Sequence, residues 1–448
     1  MSEHHACQEL NERIAADGVQ FVSLQFTDIP GAVKNVTIPV DRLGEALERG
    51  VWFDGSSIEG FARIYETDMR LLPDPATYCI LPWEPATCPV ARLICDVYTP
   101  HDQLFEGDPR RVLKRVLAEA AALGYRFNVG PEFEFFLFRM DGAPHIQPVP
   151  HDVGGYFDFS PRDTAARVRQ DISVALKAMG IQVEKVHHEV SSGQHEIDIH
   201  YADALTSADH VITTKYAIRA VAQTHGLCAT FMPKPIFGIN GSGMHTHQSL
   251  FDAGGNNAFF APDDPYRLSA VAYQFIAGQL AHAPGLAALV APTVNSYKRL
   301  VPGYEAPAYI CWGQVNRSAL IRIPRYSPGW EQATRAELRC PDPSCNPYLA
   351  FAGMLAAGLD GIRRRMTPPP PVEENVYGFD DSRLRELHID TLPRTLGEAL
   401  LALEADEVLI AALGPEASRR YLEAKWREWH EYSTQVTDWE RRRYLETA

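Results

Sequence analysis

At 448 residues the chain exceeds the size at which a single hydrophobic core stops growing, which predicts two or more domains. Its 46% hydrophobic and 22% charged residues are the balance of a globular protein and exclude a disordered one. A net charge of -15 with no long run of Lys or Arg repels phosphodiester backbones, so nucleic acid is not an expected partner. The opening MSEHHACQEL lacks a basic segment followed by an apolar one, the mark of a secretory leader. The most apolar long stretch, Tyr273 to Pro292, is interrupted by Gln279, His282 and Pro284, so no membrane span is expected. Eight scattered cysteines form no CxxC pair, which predicts a reducing, cytoplasmic setting.

In chain order, the first hundred residues read as short strands and turns. Phe21 to Phe26 alternates, Asp28 to Gly31 turns, and Ala32 to Pro39 is extended again. Short apolar runs follow at Tyr78 to Leu81 and Ala91 to Val97, completing a small β-rich domain that ends near His101. Asp108-Pro109 then offers an N-cap and a first-turn proline, opening a helix that Gly124 closes. A strand is predicted over Arg126 to Phe138, a helix from Ser160-Pro161 to Gly180, an extended stretch over Ile181 to Lys185, and a long helix over Ala202 to His225. The remainder is α+β, with a mainly helical end from Leu396 to Tyr444; the proline run Pro368 to Pro371 is a stiff connector inside this second domain.

Charge placed on strands at period two is the chemical signal. Glu132 and Glu134 alternate with Phe133 and Phe135, so both carboxylates share one face. Beyond Glu189 and an SSG turn, Glu196, Asp198 and His200 share another; His245, His247 and Ser249 a third; Arg335, Glu337 and Arg339 a fourth. Any one of these alone reads as a solvated edge strand. Together they crowd carboxylates that resist burial unless cations neutralise them. Oxygen ligation with one or two imidazoles suits Mg²⁺ or Mn²⁺. His195-Glu196 with His200 lacks the helical HExxH spacing, and His187-His188 point opposite ways on a strand, so both cannot hold one ion. Arg299, Arg317, Arg322, Arg335 and Arg339, close in sequence to these acids, suit an anionic substrate and a transferring phosphoryl group.

These segments resemble glutamine synthetase of the bacterial type I class over nearly the whole chain. The motifs are FDGSSIEGF from Phe53, GPEFEFFLF from Gly130, HHEVSSGQHEID from His187, FMPKPIFGINGSGMHTHQSL from Phe231, NSYKRLVPGYEAP from Asn295 and AELRCPDPSCNPY from Ala336. The resemblance implies an α+β chain with a β-grasp domain over residues 1–104 and a creatine kinase-like catalytic domain over 105–448. It implies an ATP-dependent ligase joining L-glutamate and ammonium through γ-glutamyl phosphate, or, alternatively, a γ-glutamyl–amine ligase using methylamine, a polyamine or ethanolamine.

By the same resemblance, Glu134, Glu189 and Glu196 would hold one divalent ion, and Glu132, His245 and Glu337 a second, with two or three Mg²⁺ or Mn²⁺ per site. Arg299, Asn240 and Gly241 would bind glutamate, and Arg317 and Arg339 would steady the phosphoryl group. His247, Ser249, Arg322 and Arg335 would lie on the ATP side. Asp54, Ser57, Tyr156 and Glu189 would form the ammonium pocket, with Asp54 taking the proton and Glu305 shutting the site against water. Two stacked six-membered rings would share each site between subunits, and Arg63 would relay glutamine feedback in the alpha-type subclass. RYSPGWEQA, from Arg325, and the cysteines Cys340 and Cys345 depart from the family pattern.

Overall fold

A computed structural model describes residues 3–58, 68–140 and 146–447. The N-terminal part is a six-stranded sheet around Phe21–Thr27, which pairs antiparallel with Val33–Pro39 and parallel with Val90–Tyr98. Asp68–Pro73 continues the sheet from Val90–Tyr98 to Val51–Asp54, and Cys79–Ile80 adds a short edge. Val22, Leu24 and Phe26 project to one side, where Leu71, Leu93 and Val97 complete a core. Leu10 and Ile14, one turn apart on helix Glu3–Ala16, and Leu43 and Ala46 of helix Leu43–Arg49 roof it.

Those two helices correct the reading of this region as strands and turns alone. Helix Glu3–Ala16 is mostly polar, and Leu43–Arg49 is seven residues, so neither supplies a sustained apolar stripe. A second correction falls at Ser160-Pro161, where turns precede a helix that starts only at Ala166. Asp163 Oδ1 accepts from the Ala165 amide at 2.9 Å and from Arg169, holding the entry to that helix.

The larger part is a nine-stranded sheet centred on the long strand Tyr125–Arg139. One side of that strand pairs with Gln194–Ile199, which pairs in turn with Val183–His188. Its other side pairs with Thr246–Asp252, followed by Ala336–Leu338, Ala319–Arg322 and Tyr309–Gly313. Helices Pro109–Ala122 and Ala204–Thr224 pack against this strand, whose Phe127, Phe133 and Phe135 are buried, and helix Pro347–Arg363 packs on those helices in turn. Asp108 caps the first of them, as its sequence predicts, through a bond from the Arg110 amide. The C-terminal stretch is helical as expected, in Leu396–Glu404, Glu407–Leu413, Pro415–Ser433 and Asp438–Tyr444.

The predicted turn at Asp28–Gly31 docks the small sheet on the large domain. Asn346 Nδ2 donates to the carbonyls of Asp28 and Ile29 at 3.0 and 3.2 Å, while its Oδ1 accepts from the Tyr348 amide and starts helix Pro347–Arg363. Gly31, at φ +97°, passes so close that a Cβ would lie 3.0 Å from Asn346 Cα; only glycine fits there. Ile29 is fully buried in the core of the large domain. Among the described residues no helix is long and apolar enough to cross a membrane.

Candidate active site

The charged faces predicted from period two meet on one side of the large sheet. Register places Glu132 opposite Asp198, Glu134 opposite Glu196, His187 opposite Glu196, and His247 opposite Glu337. Carboxylates directly opposed on neighbouring strands repel one another, so this arrangement is costly without a cation.

Two groups of donors face the opening. In the first, Glu132, His245 and Glu337 offer atoms within 4.8 Å of one another; His245 Nδ1 stands 3.4 Å from Glu132 and 3.7 Å from Glu337. In the second, His187, Glu189 and Glu196 do the same, with His187 Nε2 3.1 Å from Glu196 Oε1. Glu134 faces this second group, but its Oε2 accepts from Gln194 Nε2 at 2.9 Å and from the Gly243 amide at 3.0 Å.

Burial and the nearby Glu196 charge push the Glu134 carboxyl up to about 8. Burial, then Glu134 and Glu196, push Glu189 to about 9. Burial opposes ionisation of Glu337 too, yet Arg339, the two histidines and Arg322 hold it down at about 2. Such a split is the signature of acids packed more densely than their own counter-charges allow. The oxygen-rich donor sets, each with one imidazole, fit hard divalent cations such as Mg²⁺ or Mn²⁺.

Opposite the acids stand the arginines. Arg339 donates to Glu337 Oε1 at 2.6 Å and Arg322 to Oε2 at 2.5 Å, so each carboxylate oxygen takes one guanidinium. Arg299, almost wholly buried, is fixed by the carbonyls of Arg339, Cys340 and Pro341 at 2.9–3.2 Å. Arg317 is exposed on the rim. Glu305 adopts φ +56°, a left-handed conformation that costs a non-glycine residue energy, and accepts from Asn240 Nδ2 at 2.9 Å. Tyr156 is half exposed, stacked on Phe157 at 4.0 Å and edge-on to His187.

A cleft of about 800 Å³ joins these elements. It brings together Glu132, Glu134, Glu189, Glu196, His245 and Glu337 with Tyr156, Asn240 and Gly241, and with Arg299, Glu305, Arg317, Arg322 and Arg339. His247 and Arg335 lie behind this lining in a relay. Arginine can only donate, so Arg335 Nε supplies the hydrogen at 3.1 Å to His247 Nδ1, and the other imidazole nitrogen donates to Glu132 at 2.8 Å. Ser249 is buried further along the same strand.

Asp54 does not line the cleft of its own chain; it is exposed at the end of strand Val51–Asp54, where it accepts from the amide and hydroxyl of Ser56. Ser57 sits in the following turn with its side chain outside the described residues, and Arg63 lies outside them altogether.

Sequence reasoning missed His187, Lys185 and Gln194, all of which line the cleft or bond its acids. Lys185 Nζ stands 2.7 Å from Asp198 and 3.3 Å from Glu196. Gln194 bridges Glu134 to the Gly241 carbonyl. Gln194 lies two residues before Glu196 on the same strand face, so extending that face by one step would have found it, whereas Lys185 and His187 reach that face only through pairing with the neighbouring strand. His188 points away, its Nε2 3.2 Å from buried Asp152, which bears out the expectation that the tandem histidines diverge.

Comparison with known proteins agrees with this architecture. The glutamine synthetase catalytic domain matches residues 106–444, and the glutamine synthetase beta-grasp domain matches residues 18–100. A glutamine synthetase of Halobacterium salinarum is 53% identical over 97% of this chain and 95% of its own length. That of Thermotoga maritima is 52% identical over 96% and 98%. Among solved structures, a GmaS/ADP complex superposes with a TM-score of 0.88 at 36% identity, covering 98% of this chain and 99% of its own. Plasmodium falciparum glutamine synthetase, solved by cryo-electron microscopy, superposes at 0.87 and 27% identity, covering 98% of each. With a β-grasp domain, a catalytic α/β domain and full-length relatives of this kind, the chain is an enzyme that belongs to the glutamine synthetase family.

Proposed function

We propose that the chain is an ATP-dependent glutamate–ammonia ligase that makes L-glutamine through γ-glutamyl phosphate. The observation that carries this reading is the single cleft in which two acid–imidazole groups face Arg299, Arg317, Arg322 and Arg339. A carboxylate is a poor electrophile, and phosphorylating it supplies the leaving group that ammonia displaces. Two or three divalent ions, Mg²⁺ or Mn²⁺, held by Glu132, His245 and Glu337 and by Glu134, Glu189 and Glu196, would neutralise the transferring phosphoryl group. His187, within the second donor set, supports that position as well.

Arg299 would take the α-carboxylate of glutamate with Asn240 and Gly241 beside it, its guanidinium already fixed by three carbonyls so that little is reorganised on binding. Arg317 and Arg339 would bear on the phosphoryl oxygens. His247, Ser249, Arg322 and Arg335 would serve the ATP side, and a structural neighbour solved with ADP supports a nucleotide on this fold. Glu305, on a Pro- and Gly-punctuated loop, would exclude water from the acyl phosphate.

Ammonium would bind against Tyr156, Glu189 and Ser57 and lose its proton to Asp54. Because Asp54 is exposed and away from its own cleft, this reading places it in the site of an adjacent subunit, within a dodecamer of two six-membered rings in the cytoplasm. Glutamine feedback relayed by Arg63 belongs to the same proposal.

A second reading keeps the ligase and replaces ammonium by methylamine, a polyamine or ethanolamine. Tyr156, half exposed in the single chain, lies on the side of the cleft where such an amine would enter. Phosphate release from ATP and Mg²⁺ with glutamate, compared across these nucleophiles, separates the two. Release that requires ammonium and yields glutamine supports the first; release only with an amine replaces it by the second; no release with any of them ends both.

A further inference from the structure

A second cavity, of about 630 Å³, lies between the N-terminal sheet and the catalytic domain and shares no lining residue with the cleft. One wall is the stretch from Gln25 to Asn35, including the docking turn at Gly31. The other is helix Ala204–Thr224 with Phe231, Val294 and Ser344.

Lys215 and Arg219 stand one turn apart on that helix, so their side chains share a face. Both bear on the same ring: the Lys215 ammonium lies 5.9 Å and the Arg219 guanidinium 5.0 Å from the Phe231 centroid. Lys215 is only 8% exposed. Among the described residues neither cation has a hydrogen-bond or ion-pair partner. The acid in the lining, Glu428, is already engaged, with Oε1 accepting from the Val294 amide at 3.1 Å and Oε2 from Lys425 at 2.8 Å. Two adjacent like charges, one of them buried, are unfavourable without a counter-ion. Burial brings the Lys215 ammonium down to about 8 against an opposing pull from Cys345, and the Arg219 charge adds a smaller push the same way as burial.

We propose that this cavity binds a small organic anion, its carboxylate or phosphate head between Lys215 and Arg219 and its apolar body against Phe231, Ile212 and Val33. Cations at one place and apolar walls elsewhere are the division of labour expected of a small-molecule site. The occupant would also bear on the cleft. Asn295, in the cavity wall, clamps the Lys234 backbone from both sides at 2.7 and 3.1 Å and leads directly into helix Ser296–Arg299. Pro343 and Ser344 likewise continue the segment that begins at Arg339. The wall of the cavity thus joins the small domain to the two segments that carry Arg299 and Arg339.

The test is calorimetric titration of the full-length, metal-stripped protein with phenyl phosphate, phenylacetate and neutral benzyl alcohol. The expected result is that at least one of the two anions binds and the alcohol does not. Arg219→Gln should weaken that binding about tenfold or more, the scale of a lost charge-assisted hydrogen bond. Lys215→Met should do the same, and Arg339→Gln in the cleft should leave it unchanged. Arg219 is exposed, so its variant keeps the fold and the test stands even if the Lys215 variant does not fold. Binding that survives Arg219→Gln, or that Arg339→Gln abolishes, overturns the proposal, as does failure of both anions to bind at millimolar concentration. No turnover is measured, so the outcome is independent of the ligase reading.

Discussion

The side-chain amide of Gln194 donates to Glu134 Oε2 at 2.9 Å across two paired strands, and the same nitrogen reaches the Gly241 carbonyl at 3.0 Å. An acid of the candidate metal face is thereby tied to the loop proposed to receive glutamate. Gln194→Ala removes the tie and leaves the acid in place. The half-saturating Mn²⁺ concentration should rise about 10–100-fold, the usual effect of losing a group that orients a ligand. The thermal midpoint should move by only a few degrees. Unchanged Mn²⁺ affinity in direct binding would show that Glu134 is oriented by other means.

Crowding of Glu134, Glu189 and Glu196 has a signature that needs no substrate. With Glu134 pushed to about 8 and Glu189 to about 9, both carry protons near neutrality while no cation is bound. Cation binding must expel them. Titrating the metal-free protein at about pH 7 should release about two protons per chain, read as a binding enthalpy that scales with buffer ionisation heat. The release should vanish above the higher of the two values. An enthalpy independent of buffer would mean that the acids are ionised before the cation arrives.

His282 links three helical segments, with Nδ1 2.7 Å from Asp406 and Nε2 3.1 Å from Asp360. Burial alone would lower its pKa, but bonds to the two carboxylates raise it above the ordinary 6.5. Folding therefore binds a proton more tightly at this ring. Its contribution is fully present below the unfolded value and is lost as pH rises through the folded one. His282→Gln should cost about 3 kcal/mol in mildly acidic buffer, as expected for breaking a largely buried ion pair. Urea unfolding across pH should show the gap to wild type shrinking on the alkaline side; a gap that widened there would contradict the charged assignment.

If Asp54 serves a neighbour, two dead variants should rescue one another. Asp54→Ala and Arg339→Ala would each be inactive alone. Unfolded together and reassembled in equal amounts, they should regain about a quarter of wild-type activity, because a site then needs the intact residue from each of two subunits. Recovery requires mixing before assembly. No recovery, with mixed oligomers demonstrated, would place Asp54 and Arg339 in the service of the same chain.

That Glu132 and Glu134 share a face of their strand, Glu196 and Asp198 a face of theirs, and Glu337 and Arg339 a face of a third was legible because strands alternate, and a period of two needs no knowledge of partners. Strand pairing was not legible. Nothing local says that His187 lies opposite Glu196, or that Gln194 reaches across to Glu134, because register is set by the whole sheet. Asn240, Arg299 and Glu305 stood out through the family motifs, since an isolated Asn or Arg in a loop has no periodicity to betray it. The missed helix Glu3–Ala16 shows the reverse failure: from Gln8 on, it buries only Leu10 and Ile14, so its pattern is faint although its structure is regular. Lys215 and Arg219 were invisible for a third reason. Their helix is buried nearly all round, and only the packing of the small sheet against it creates the cavity they share.

Asn346 both begins the heavily buried helix Pro347–Arg363 and grips the Asp28–Ile29 turn. The small sheet thus takes its alignment from the middle of the large domain, as a lens takes its axis from the barrel that holds it. Asp54, at the far edge of that sheet, is presented outward at an offset determined inside the chain. In any assembly that borrows Asp54, a fault at Asn346 would appear as poor aim in the next subunit, while the chain carrying the fault kept its own cleft intact.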